Sequence, residues 1–212
     1  MSLAKDLVFT DPVHSKDNWF YNKYYYSGAN LRYHTFQIAL NMLQQYHTSP
    51  LIVETGCQRQ QEDVGAGMST SMFAEFVQRY GGSVVSVDNS LEHLSRAREY
   101  IKIFPEADCK FAHSDSVLFL EGLEMSPSLL YLDSLDYPIG DQAGDVHMQN
   151  AAQDHCLAEF KACEKVLENC ILLIDDNSLP QGGKAAKLKL YLIEKGWVCL
   201  ADWQQSLWVK GE

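Results

Sequence analysis

The chain has 212 residues, 46 % hydrophobic and 21 % charged, which is ordinary globular usage with enough apolar side chains for one sizeable core. Seventeen Lys and Arg stand against 28 Asp and Glu, a formal charge of −11 that repels phosphate backbones and anionic lipid heads and so argues against nucleic acid or a membrane as partner. No run approaches the roughly 20 apolar residues of a membrane helix, MSLAKDLVF lacks the apolar core of a secretory signal, and six scattered cysteines form no CxxC pair, so a cytoplasmic protein without a disulfide framework is expected.

Residues 1–49 form an N-terminal extension with a helix expected over about 30–46. Its segment 19–26, WFYNKYYY, carries six aromatic rings in eight positions, which either pack the extension onto the core or form a lid facing a substrate. From residue 50 the pattern alternates. Short apolar runs predict strands at 51–55, 83–88, 108–112, 128–133 and 170–175, and amphipathic stretches predict helices at 69–80, 90–103, 116–124, 152–168 and 183–195. Continuous apolar strands separated by helices suit a parallel sheet covered on both faces. In 152–168, Cys156, Phe160 and Cys163 share one apolar stripe, so both cysteines read as small buried hydrophobes. The runs 197–201 and 206–210 are too close for a helical crossover and predict a hairpin, which places an antiparallel strand on the sheet. With no repeat or linker, residues 1–212 read as one α/β domain with a Rossmann-like, seven-stranded, mostly parallel sheet, helices on both faces and the extension at one end.

In such a sheet, ligands bind beyond the carboxyl ends of the strands. The first predicted strand ends in Glu54-Thr55-Gly56-Cys57. Gly65 and Gly67 precede the next helix, where Ser69 or Thr70 can cap the first turn. Asp88 ends the second strand, 21 residues after Gly67, where a carboxylate can accept both hydroxyls of a ribose. Ser114-Asp115-Ser116 follows the third strand, and Asp115 either caps the helix after it or meets an adenine.

ETGC…GAGMST, SVVSVD and HSD stand in the order used by the class I S-adenosylmethionine-dependent methyltransferases, which the chain resembles over about residues 50–210. The resemblance implies strand order 3-2-1-4-5-7-6. It implies that Glu54, Gly56, Gly65 and Gly67 hold the methionine part of the cofactor, with Ser69 beside them, Asp88 the ribose, and Ser114 and Asp115 the adenine edge. The glycine loop departs from the family by a stretch of eight residues, 57–64.

Asp133 ends the fourth strand and Asp175-Asp176-Asn177 the fifth, a set of hard oxygens of the kind that suits Mg²⁺. This is similar to the metal-dependent, catechol-type O-methyltransferases. The likeness implies Mg²⁺ at Asp133, Asp176 and Asn177, where it would ease ionisation of an acceptor hydroxyl. Those enzymes carry a lysine base three residues after the first metal acid, and this chain has Asp136 there. With helix 152–168 starting at the active-site rim, His155 in its first turn is a substitute general base beside Asp133, and His147 a weaker one. The expected reaction is methyl transfer to a hydroxyl of a small molecule. Its rivals are an NAD-dependent oxidoreductase and a cofactor-binding module without catalysis.

Overall fold

A computed structural model describes residues 19–24, 32–61, 68–142 and 144–211. In chain order these form α1 (Trp19–Tyr24), α2 (Arg32–Tyr46), β1 (Leu51–Thr55), α3 (Ser69–Tyr80), β2 (Ser83–Asp88), α4 (Leu91–Tyr100), β3 (Cys109–His113), α5 (Ser116–Glu121), β4 (Leu129–Leu132), α6 (Val146–Cys163), β5 (Ile171–Ile174), α7 (Ala186–Glu194), β6 (Trp197–Asp202) and β7 (Ser206–Lys210). The strands make one sheet in the order β3-β2-β1-β4-β5-β7-β6. β1 to β5 pair in parallel, and β7 runs antiparallel to both β5 and β6. The Rossmann-like sheet and its terminal hairpin are therefore as the sequence predicts, and the strand order is the one the family resemblance implies.

Why the central strands read as unbroken apolar runs follows from their two-residue period. Ile52, Leu129, Tyr131, Ile171, Leu173 and Leu207 enter one core with Phe36 and Leu40 of α2 and Phe73 and Phe76 of α3. Their neighbours Val53, Leu130, Leu132, Leu172, Ile174 and Trp208 enter a second core with Cys156 and Phe160 of α6 and Leu188 and Leu192 of α7. Both faces exclude water, so a polar group placed there is costly unless it finds a partner. Cys156 and Cys163 are fully buried, as small hydrophobes would be, and all six thiols are free.

In the described part of the extension, Phe20 and Tyr24 are buried. Phe20 stacks on Tyr33 with ring centroids 5.0 Å apart, Trp19 Nε1 donates to the Tyr80 hydroxyl at 3.0 Å, and Lys23 meets Glu75 at 2.6 Å. These contacts seat α1 on α2 and α3. Tyr25 and Tyr26 lie outside the described residues.

Helix boundaries differ from the sequence reading where polarity hides them. α6 begins at Val146, not at 152, because Asp145 caps it, its carboxylate accepting from the backbone N–H of His147 at 2.9 Å and of Met148 at 3.1 Å. Its first turns expose Val146 and Met148, so the buried stripe that betrays the helix starts later. α7 begins at Ala186, not at 183, since Gly183 has φ +63, outside the right-handed helical region.

Candidate functional site

The carboxyl ends of the first four parallel strands enclose a hollow of about 400 Å³, its open mouth included. Gly56 follows β1, Val87 and Asp88 close β2, Ser114, Asp115 and Ser116 follow β3, Ser134 and Leu135 follow β4, and His155 reaches in from α6. Asp88, Ser114, Asp115 and Gly56, four of the residues expected at the cofactor, thus line one cavity. Gly65 and Gly67 lie outside the described residues.

Each wall has a local cause. Gly56 has φ +79, and a Cβ there would stand 2.4 Å from the Asp133 carbonyl oxygen, so only glycine lets the end of β1 pass the end of β4. Asp88 is held from two sides: its Oδ1 accepts from Ser90 N at 2.7 Å and its Oδ2 from Cys57 N at 3.3 Å. Asp115 caps α5, accepting from Leu118 N at 3.0 Å while also lining the hollow. The cap expected of Asp115 is present, and it leaves the residue on the wall of the hollow.

Glu54 does not face the hollow's mouth. It is fully buried, with Oε1 accepting from Thr70 Oγ1 at 2.6 Å and Ser86 Oγ at 2.5 Å, and Oε2 has no hydrogen-bond partner. Thr70 in turn accepts from Gln58 N at 2.9 Å. Gln58, which no motif in the chain singles out, takes the backbone N–H of Ser71 on its Oε1 at 3.2 Å. It replaces the capping expected of Ser69 or Thr70 and straps the start of the stretched loop to α3. Glu54 therefore positions this loop through Thr70.

Burial pushes the Glu54 carboxyl up to about 7 from its ordinary 4.5, with the Ser86 and Thr70 hydroxyls only partly holding it down. The folded state then binds the proton more tightly than the unfolded chain, so stability is lost as pH rises from about 4.5 through 7. Compared with Glu54→Gln, the wild-type protein should lose about 2–3 kcal/mol between pH 5 and pH 8, measured from urea midpoints. Parallel pH profiles of the two proteins would show that Glu54 does not ionise across this range.

At the ends of β4 and β5 the predicted acids do meet, but cations that the sequence did not announce lie between them. Both oxygens of the buried Asp175 accept from Arg32 Nε, at 2.8 and 2.9 Å, and the Tyr131 hydroxyl also donates to Asp175. Arg32 Nη2 reaches Asp176 at 3.1 Å. The Lys184 ammonium stands 2.8 Å from Asp133 Oδ1 and 3.6 Å from Asp176 Oδ2. Burial pulls Lys184 down, but Asp133, Asp176 and Asp175 together push it well above the usual lysine range, so it is a cation. Burial raises the Asp133 carboxyl, Lys184 opposes it, and the neighbouring carboxylates raise it further.

The expected Mg²⁺ set does not fit this arrangement. Asp133 and Asp176 are already bridged by an ammonium, and Asn177 turns its amide nitrogen to two acceptors, Asp202 Oδ1 at 2.6 Å and the Trp203 carbonyl at 2.7 Å. Only the buried Oδ1 of Asn177 lacks a partner, and one amide oxygen cannot hold an ion that demands six ligands in near-octahedral order. Among the described residues no group of three or more His, Cys, Asp or Glu side chains is disposed to hold a metal.

His155 reaches the hollow by a different route from the one expected. It lies well inside α6, and its Nε2 meets Ser134 Oγ at 2.9 Å and Ser116 Oγ at 3.1 Å, with the buried Glu159 at 3.8 Å. Asp154 pairs instead with Lys187 at 2.6 Å, and His147 is exposed in the first turn. Asp136, where a lysine base was sought, forms a two-pronged pair with Arg59 at 2.7 and 2.9 Å.

No protein-family model and no curated protein sequence matches the chain. Solved structures do. The chain is similar to the methyltransferase PaMTH1 of Podospora anserina bound to S-adenosylhomocysteine (15 % identity, 87 % of this chain and 80 % of that one, TM-score 0.61). It is also similar to an rRNA methylase of Streptococcus thermophilus (9 %, 84 % and 97 %, TM-score 0.54). A third is CalS11, a TDP-rhamnose 3'-O-methyltransferase of calicheamicin biosynthesis (13 %, 85 % and 81 %, TM-score 0.54). At these identities the likeness is one of fold.

Proposed function

We propose that the chain is an S-adenosylmethionine-dependent methyltransferase acting on a hydroxyl of a small molecule. The observation that carries this reading is the convergence of Gly56, Asp88 and Ser114–Ser116 on one hollow at the carboxyl edge of the sheet. When bound, the cofactor supplies an electrophilic methyl group on a sulfonium.

The residues present suit that ligand. Asp88, its oxygens fixed by two backbone N–H groups, is oriented to accept ribose hydroxyls. Ser114, Ser116 and Ser134 offer hydroxyls, and Val87 and Leu135 offer apolar surface to a base. Asp133 is the candidate proton acceptor. A quarter of its side chain is exposed, whereas Lys184 behind it is only 1 % exposed, so Asp133 can meet a substrate and Lys184 cannot. His155, occupied with two serine hydroxyls, forms the wall of the hollow and orients them.

A formal charge of −11 favours a small acceptor over the polyanion on which an rRNA methylase acts. Six free thiols suit a cytoplasmic location, and no helix among the described residues is long and apolar enough to cross a membrane.

Calorimetric titration with S-adenosylhomocysteine, followed by methyl transfer from labelled cofactor to a panel of phenols and sugars, tests the reading. Binding and transfer are expected. Heat from NADH and none from S-adenosylhomocysteine would make the chain an oxidoreductase, and binding without transfer a cofactor-binding module. Asp88→Asn removes a charged acceptor and should weaken S-adenosylhomocysteine about 10- to 100-fold by the same titration; a change below about threefold would remove Asp88 from the site.

A further inference from the structure

We infer that Lys184 is a built-in cation, its ammonium holding the position between the β4 and β5 acids that a divalent ion would otherwise fill, so that this site works without metal. The inference rests on the methyltransferase reading for its catalytic consequence, but not for its geometry.

The chain is shaped to deliver this lysine. After β5 the backbone turns through Gly182 and Gly183, both with positive φ. A Cβ on Gly183 would lie 1.9 Å from the Asp176 carbonyl oxygen, so only glycine passes there. The next N–H, that of Lys184, donates to that same carbonyl at 3.0 Å. The side chain then runs inward to Asp133 Oδ1 and Asp176 Oδ2, buried to 1 % exposure.

The position between the acids is already taken by positive charge. Asp133, Asp175 and Asp176 face Lys184 and Arg32, three carboxylates against two cations. A divalent ion entering here must expel a buried ammonium and shed its own water, which Mg²⁺ does reluctantly. Lys184 is a positioning residue. It ties down Asp133 Oδ1, while Oδ2, contacted by the Tyr131 hydroxyl at 3.3 Å, is left to accept the proton of an acceptor hydroxyl.

The test is Mn²⁺ binding to the full chain, read by electron paramagnetic resonance, in wild type, Lys184→Met and Lys184→Arg. Wild type and Lys184→Arg should bind no stoichiometric Mn²⁺ below about 1 mM, and Lys184→Met, with its acids uncovered, should bind one ion at least about tenfold more tightly. Stoichiometric binding by wild type overturns the inference, as does a folded Lys184→Met that binds no better. If Lys184→Met does not fold, the wild-type titration decides alone. In parallel, excess EDTA should leave wild-type methyl transfer unchanged, and a loss restored by Mg²⁺ overturns the inference. Failure to find any transfer sinks the methyltransferase reading and leaves the Mn²⁺ result standing.

Discussion

Asp133→Asn is expected, on the methyltransferase reading proposed above, to lower kcat toward a hydroxylated acceptor by about 10²- to 10⁴-fold, because it removes a proton acceptor while keeping the side chain's size. Binding of S-adenosylhomocysteine should change little, since Asp133 stands at the end of β4 next to Lys184 and does not line the hollow that Asp88 and Asp115 share. The split between turnover and cofactor affinity is the informative readout. A kcat within about tenfold of wild type would show that the hydroxyl loses its proton elsewhere, with His155 the next residue to replace.

Arg32→Ala should destabilise the protein by about 3–5 kcal/mol, the usual effect of leaving a buried charge without its partner. Asp175 is fully buried, and Arg32 supplies two hydrogen bonds to it besides the contact with Asp176. The Tyr131 hydroxyl and Gln205 Nε2 also face Asp175. As neutral donors they cannot offset its charge. Urea unfolding measures the loss, and the double variant Arg32→Ala/Asp175→Asn should recover much of it because the buried charge is then gone as well. A single-variant loss below about 1 kcal/mol would mean that Asp175 is held without Arg32. The same contact makes α2 part of the site: it pins the start of α2 against the carboxyl edge of the sheet.

The strands were legible because their signal is local. The apolar residues of LIVET, SVVSVD and ILLI are shared between two covered faces, and short runs dominated by Val, Ile and Leu read as covered parallel strands wherever they occur. The residues at strand ends were legible for the same reason: Asp88 and Asp115 were placed by counting along the chain, and the sheet brings them to one hollow. Helix starts were less legible where the first turns are exposed, which moved α6 from 152 to Val146 and changed how His155 comes to the cavity.

The partners of the acids were not legible at all. Arg32 lies 143 residues from Asp175 and Lys184 lies 51 from Asp133, and no spacing rule joins such pairs. From sequence, Asp133, Asp176 and Asn177 at two strand ends read as an open ligand set for Mg²⁺, since the chain order shows the carboxylates and hides what neutralises them. By itself the sequence determined the α/β sheet, its terminal hairpin and which residues stand at its carboxyl edge, because hydrophobic period acts over a few neighbouring residues. Only the tertiary structure decided that a lysine and an arginine, not an open ligand set, face those acids, because charge pairing in a buried site depends on which distant segments the fold brings within about 4 Å.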